Sequence, residues 1–143
     1  MISSEQSKLL PNAQAANVEV MTDPNLREEF LGPWEGLTRM EAEVLFPRGA
    51  ERWRAGTIEA HDGLEGLIMV GKRAIHVVSS VVTHYASQAA LHPLIMVTHA
   101  NTAIALTALL LLLPFNDWLS VDTLAPGAWS SFQRNEAGLW EIF

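Results

Sequence analysis

The chain contains no cysteine, which excludes disulfides, iron–sulfur ligation and thiol catalysis. Positive charge is scarce: 9 Lys and Arg stand against 16 Asp and Glu, a formal net charge of −7. Without a cationic excess to neutralise phosphates, nucleic acid is not expected as a partner. No Gly-x-Ser-x-Gly elbow occurs, and "GLEGLIMVGK" lacks the Gly-x-x-x-x-Gly-Lys-Ser/Thr spacing of a phosphate-binding loop. The five histidines, His61, His76, His84, His92 and His99, include no His-x-x-x-His or His-Glu-x-x-His pair, so no metal site is expected. The amino terminus shows neither the basic start and apolar run of a secretory signal nor an Arg-rich transit peptide. The largest gap is in charge itself. From Ala74 to Asn116, 43 residues, there is no Asp, Glu, Lys or Arg, in a chain that is 17% charged overall.

What is present reads as helix. In "DPNLREEFLGP", Asp23 is placed as an N-cap with Pro24 at the first helical position, and Gly32 and Pro33 stop the element. In "TRMEAEVLFP", Thr38 and Glu41 make a capping box that Pro47 ends. Asp62 and Glu65 form a box-like start to a third helix, expected from about Gly63 to about Ala90. One face of it carries Leu67, Val70, Ala74, Val77, Val81 and Tyr85; the other carries Lys72, His76, Ser80, Thr83 and Ser87. A polar face of hydroxyls and imidazoles suits packing against protein more than contact with water.

Pro93 then opens a second apolar helix. Residues 93 to 113 would extend about 31 Å, close to a hydrocarbon core of roughly 30 Å. About eleven strongly apolar residues, at roughly −0.3 to −0.6 kcal/mol each, supply about −3 to −7 kcal/mol toward insertion, against the cost of His99 and Asn101. The stripe Thr98, Asn101, Thr102 and Ala105 suits close contact with protein, and Leu109 to Leu113 suit lipid or apolar neighbours. Trp118 sits where an interfacial anchor would be expected.

This pattern favours an all-α membrane protein: a polar extramembrane arm over 1–62, a hydrophobic helical region over 63–115, and an irregular, Trp-containing tail over 116–143. Arg48, Arg52, Arg54, Lys72 and Arg73 cluster on the amino-terminal side of the hydrophobic region, where they are candidates for binding anionic lipid head groups. His84 and His99 are the candidate axial donors to haem or chlorophyll. Neither has an acid nearby in sequence to orient its second nitrogen, so hydroxyl neighbours are expected to satisfy both, and no cofactor is expected from this chain alone.

The stretch "SQAALHPLIMVTHANTAIALTALLLLLP", through Ser87, Ala89, Ala90 and His92, then Thr102 to Leu106 and Leu109 to Pro114, resembles the first transmembrane segment of the small membrane-anchor subunit of succinate dehydrogenase. That resemblance implies a non-catalytic anchor or accessory subunit of a respiratory-chain complex in an energy-transducing membrane such as the mitochondrial inner membrane. Its partners would be other subunits and membrane lipids. Members of that family carry further spans with a haem-ligating His and a quinone-site Tyr and Asp; no later apolar run occurs here, so no functional residue carries over. The alternative reading is a soluble all-α interaction module built on a central helical hairpin.

Overall fold

The computed structural model describes residues 2–3, 20–85 and 93–143. Strand β1 (Ile2–Ser3) lies between β2 (Met21–Thr22) and β3 (Met96–Val97), parallel to both. Ile2 faces Met21 and Met96 across the ladder, and Ser3 faces Thr22 and Val97. Between β2 and β3 run α1 (Arg39–Leu45), α2 (Pro47–Arg54) and α3 (Leu67–His84). After β3 come α4 (Ala100–Leu110) and an antiparallel hairpin of β4 (Phe132–Arg134) and β5 (Trp140–Ile142).

The all-α membrane architecture is therefore corrected to α/β. The apolar stretch after Pro93 is not one helix. Residues 93–99 are extended and include β3, and the helix that follows is 11 residues, or about 16 Å. Among the described residues, no helix is long and apolar enough to cross a membrane. The missing charge has another cause. Parallel strands and the helices packed on them are covered on several sides, so they read as nearly continuous apolar runs. Here the run comprises α3 from Ala74 onward, the half-buried β3 and α4, and the solvent-facing positions of α3 within it are filled by the uncharged Ser79, Ser80 and Thr83 and by His76 and His84.

Helices α3 and α4 share two clusters. Ala74, Val77, Val78 and Val81 meet Leu106 and Leu110 in one, joined by Leu26 from the loop after β2. Leu67 and Val70 meet Ala105, Ala108, Ile58 and Trp118 in the other. Thus the expected apolar stripe of α3 faces the core. Its opposite face differs from expectation: Lys72, His76, Ser80 and Thr83 face solvent rather than a neighbouring helix. Trp118 is fully buried and donates its indole N–H to the Leu113 carbonyl at 3.2 Å, which corrects its placement as an interfacial anchor.

The Thr38–Glu41 box forms as its sequence dictates: Glu41 N–H donates to Thr38 Oγ1, and the Glu41 carboxylate accepts the Thr38 N–H at 2.7 Å. Asp23 also caps, accepting the Asn25 N–H at 2.8 Å, yet only a single 3₁₀ turn over Pro24–Leu26 follows. The third cap is displaced. Helix α3 starts after Gly66, and Glu65 engages arginines instead. Gly66 has φ +77, and a Cβ there would run into the Glu59–Ala60 peptide, so glycine is required at this turn. The tail, expected to be irregular, closes its hairpin through Asn135, whose side-chain oxygen accepts the N–H groups of Ala137 and Leu139 at 3.1 and 3.0 Å.

Candidate active site

The carboxyl ends of β2 and β3 open toward the same edge of the sheet, where parallel α/β folds collect ligands. After β2 comes the segment Asn25–Phe30, and after β3 come Thr98 and His99, which lead into α4. Beyond the 3₁₀ turn that ends at Leu26 the first segment does not continue as a helix, because its carbonyls are claimed from outside. Arg73 of α3 donates to the carbonyls of Asn25 (2.6 Å), Arg27 (2.8 Å) and Glu28 (3.0 Å). Thr98 Oγ1 donates to the Leu26 carbonyl at 2.7 Å, and the fully buried Thr102 Oγ1 to that of Arg27 at 2.7 Å. A guanidinium and two hydroxyls thus replace the bonds a helix would have made.

This arrangement delivers two adjacent carboxylates to the amino end of α4. Its first three N–H groups, of Ala100, Asn101 and Thr102, have no intrahelical acceptor; the first helical bond runs from the Ala103 N–H to the His99 carbonyl at 2.8 Å. The Glu28 carboxylate reaches the Asn101 backbone N–H at 3.4 Å. The Glu29 carboxylate accepts the Asn101 side-chain amide at 3.0 Å and a backbone N–H from Gly66. Burial, reinforced by the Glu28 charge, raises the Glu29 carboxyl above the ordinary 4.5 despite those two hydrogen bonds. Glu65 is held the opposite way. Burial works to raise it, but the Arg73 hydrogen bonds, the Phe30 N–H and the charges of Arg73 and Arg27 outweigh burial and lower it. A helix N-terminus beside an imidazole and a carboxylic acid can bind a phosphoryl group and protonate a departing oxygen.

Comparison with known proteins agrees with that chemistry. Residues 8–142 match the family described as histidine phosphatase superfamily (branch 1). The chain belongs to the histidine phosphatase superfamily. A glucosyl-3-phosphoglycerate phosphatase from Mycolicibacterium vanbaalenii is 30% identical over 136 residues, covering 90% of this chain and 60% of the relative. Its counterpart in Mycobacterium tuberculosis is 29% identical over 122 residues, covering 82% and 55%. The chain therefore spans less than two thirds of the length of these curated relatives. Among solved structures, a mycobacterial glucosyl-3-phosphoglycerate phosphatase in complex with inorganic phosphate superposes with a TM-score of 0.86 at 25% identity, over 100% of this chain and 74% of that one. The alpha-ribazole phosphatase from Shigella flexneri shares the fold, with a TM-score of 0.79 at 19% identity over 99% of this chain and 70% of that one.

Membership in the histidine phosphatase superfamily overturns the likeness to a succinate dehydrogenase anchor. With it go the non-catalytic accessory role, the respiratory partners and the mitochondrial inner membrane. The similarity over Ser87–Pro114 was one of apolar composition, which a half-buried strand followed by a core-packed helix shares with a membrane span. Part of that stretch, residues 87–92, lies outside the described residues, and this includes Ser87 of the expected polar face.

The residues singled out from sequence are scattered. His84 ends α3, exposed, with its ring edge-on to Tyr85 at 4.7 Å. His99 is half-buried at the β3–α4 junction, the one candidate donor at the sheet edge described above. Arg48 and Arg52 line an open surface hollow with Glu51 and Asp62, and Arg52 pairs with Asp62 at 3.6 Å. Arg54 approaches Glu43 at 3.9 Å, and Lys72 is exposed. Arg73, in contrast, is tied down inside the structure. Sequence reasoning missed Glu28, Glu29 and Glu65 as site residues. The available clue was Arg73 itself, which follows Lys72 as the last charge before the charge-free run.

Proposed function

We propose that this chain carries a phosphomonoester-hydrolysing site at the carboxyl edge of its parallel sheet. The observation that carries the reading is the meeting, at the amino end of α4, of the Glu28 carboxylate with the turn that begins at His99. The N–H groups without intrahelical acceptors and the positive dipole end of α4 attract the phosphoryl oxygens. The imidazole of His99 meets the same group. As the ester P–O bond breaks, phosphorus forms a new bond to the attacking group, the His99 imidazole nitrogen or a water, and Glu28 gives its proton to the leaving alkoxide; when the imidazole is the acceptor, water then cleaves the P–N bond, and in either case the attacking water returns a proton to the Glu28 carboxylate. Glu28 is the better placed acid of the pair, because Glu29 is turned toward Gly66 and the Asn101 side chain.

The relatives named glucosyl-3-phosphoglycerate phosphatases, one of them solved with inorganic phosphate, support phosphate-ester chemistry here. They make glucosyl-3-phosphoglycerate the first substrate to assay. The decisive test compares an alkyl phosphate with nitrophenyl phosphate in the full chain. Glu28→Gln is expected to lower kcat on the alkyl ester by about 10²- to 10⁴-fold, the usual contribution of a general acid. The loss should be much smaller on the nitrophenyl ester, whose leaving group needs no proton. Equal losses on both would remove Glu28 from the acid role, and full activity in His99→Ala would remove the site altogether. Alkaline quenching during turnover then defines the imidazole. A phosphohistidine that vanishes in His99→Ala assigns the attack to His99, whereas one that persists leaves His99 to stabilise charge.

A further inference from the structure

We infer that Arg73 and Glu65 form a positioning pair that fixes the backbone of Glu28, and hence its carboxyl, at the amino end of α4; this rests on the phosphatase reading above. The guanidinium of Arg73 has five N–H donors, and all five are used. Nε donates to Glu65 Oε1 at 2.7 Å, Nη1 to the Asn25 and Arg27 carbonyls, and Nη2 to the Glu28 carbonyl and to Glu65 Oε2 at 3.1 Å. With no donor left over, Arg73 acts through the residues it holds rather than on a substrate.

Glu65 completes the clamp from the other side. Its carboxylate takes the Phe30 N–H at 3.1 Å and Arg27 Nη2 at 3.2 Å, while its own N–H donates to the Phe30 carbonyl at 2.9 Å. Glu28 is thus gripped at its own carbonyl, at the preceding residue and two residues beyond. Side-chain exposures of only 10% for Arg73 and 13% for Glu65 keep water from competing for these bonds. An ammonium has three donors on one atom and cannot span three carbonyls and both carboxylate oxygens. Arg73→Lys therefore keeps the charge but loses the clamp.

The experiment uses the full chain with Arg73→Lys and Glu65→Gln, each checked by circular dichroism for retained fold. With phenyl phosphate as substrate, kcat is expected to fall about 10²-fold, the cost of misplacing a catalytic group by about 1 Å, while KM stays within about threefold. The basic limb of the kcat–pH profile should move as well, which loss of stability alone would not cause. An unchanged kcat and pH profile in Arg73→Lys would overturn the positioning role while leaving the phosphatase reading intact. If the unaltered chain hydrolyses no phosphate ester, that reading fails instead, and amide exchange decides the clamp separately. Faster exchange at the Asn101 N–H, the partner of Glu28, in Arg73→Lys supports it; unchanged exchange rejects it.

Discussion

Glu29 and Glu65 are two half-buried carboxylates in the same layer, pushed in opposite directions by their neighbours. For Glu29 the folded form holds its proton more tightly than the unfolded chain. Stability therefore declines as pH rises through the window above the ordinary 4.5, where the unfolded chain ionises first. For Glu65 the folded form ionises more readily, so its contribution is present above 4.5 and is lost as pH falls below it. Glu29→Gln is expected to raise Tm at neutral pH and leave it unchanged in acid. Glu65→Gln should lower Tm at neutral pH, with the difference shrinking in acid. Thermal melts across that range check both, and parallel behaviour of the two variants would contradict the assignment. Neither role was legible in sequence. "DPNLREEF" has the composition of a capped first helical turn, and what overrides it is a guanidinium 45 residues or more further along the chain.

Elements whose instructions are local were legible. The Thr38 box lies within four residues, and the α3 stripe repeats at steps of three and four, so both appear as written. Thr38→Ala is expected to cost about 1 kcal/mol in denaturant unfolding, the usual loss of an N-cap. Strand β3 was not legible, because two residues of strand inside an apolar run have no periodicity of their own. The contact of α3 with α4 was half legible. Small residues such as Ala105 were expected to let helices approach, and on the α3 side the close fit is made by Gly71, which the expectation did not include. A Cβ there would lie 2.8 Å from Leu109 Cδ1, 3.2 Å from the Ala105 carbonyl oxygen and 3.3 Å from Trp118 Cη2. Leucine can turn aside, but a helix backbone and a buried indole cannot. Gly71→Ala would gain about 1 kcal/mol in helix propensity and lose about 1–3 kcal/mol to overpacking, so a net loss of up to about 2 kcal/mol is expected. A stabilised Gly71→Ala would show that α4 can shift outward.

At the scale of the molecule, the charge-free run and the site have one origin. A parallel sheet hides its strands and inner helix faces, and leaves its polar chemistry to the loops at the strand ends. That is why 43 residues without Asp, Glu, Lys or Arg contain His99, while the acids at the amino end of α4 come from the loop after β2. Such a site couples ligand binding to the stability of the whole fold. Inorganic phosphate bound only by the folded form, at a hundred times its Kd, adds about 2.7 kcal/mol. For a chain of this size that corresponds to a Tm increase of about 5–10 °C. Because the chain carries a net charge of −7, bulk anion effects are removed by matching ionic strength with chloride. Phosphate is expected to raise Tm above the chloride control, and His99→Gln to abolish most of that rise. Arg52→Gln, which alters a surface pair with Asp62, should leave it intact. A rise that survives in His99→Gln but disappears in Arg52→Gln would move the anion from the sheet edge to the surface hollow beside α2.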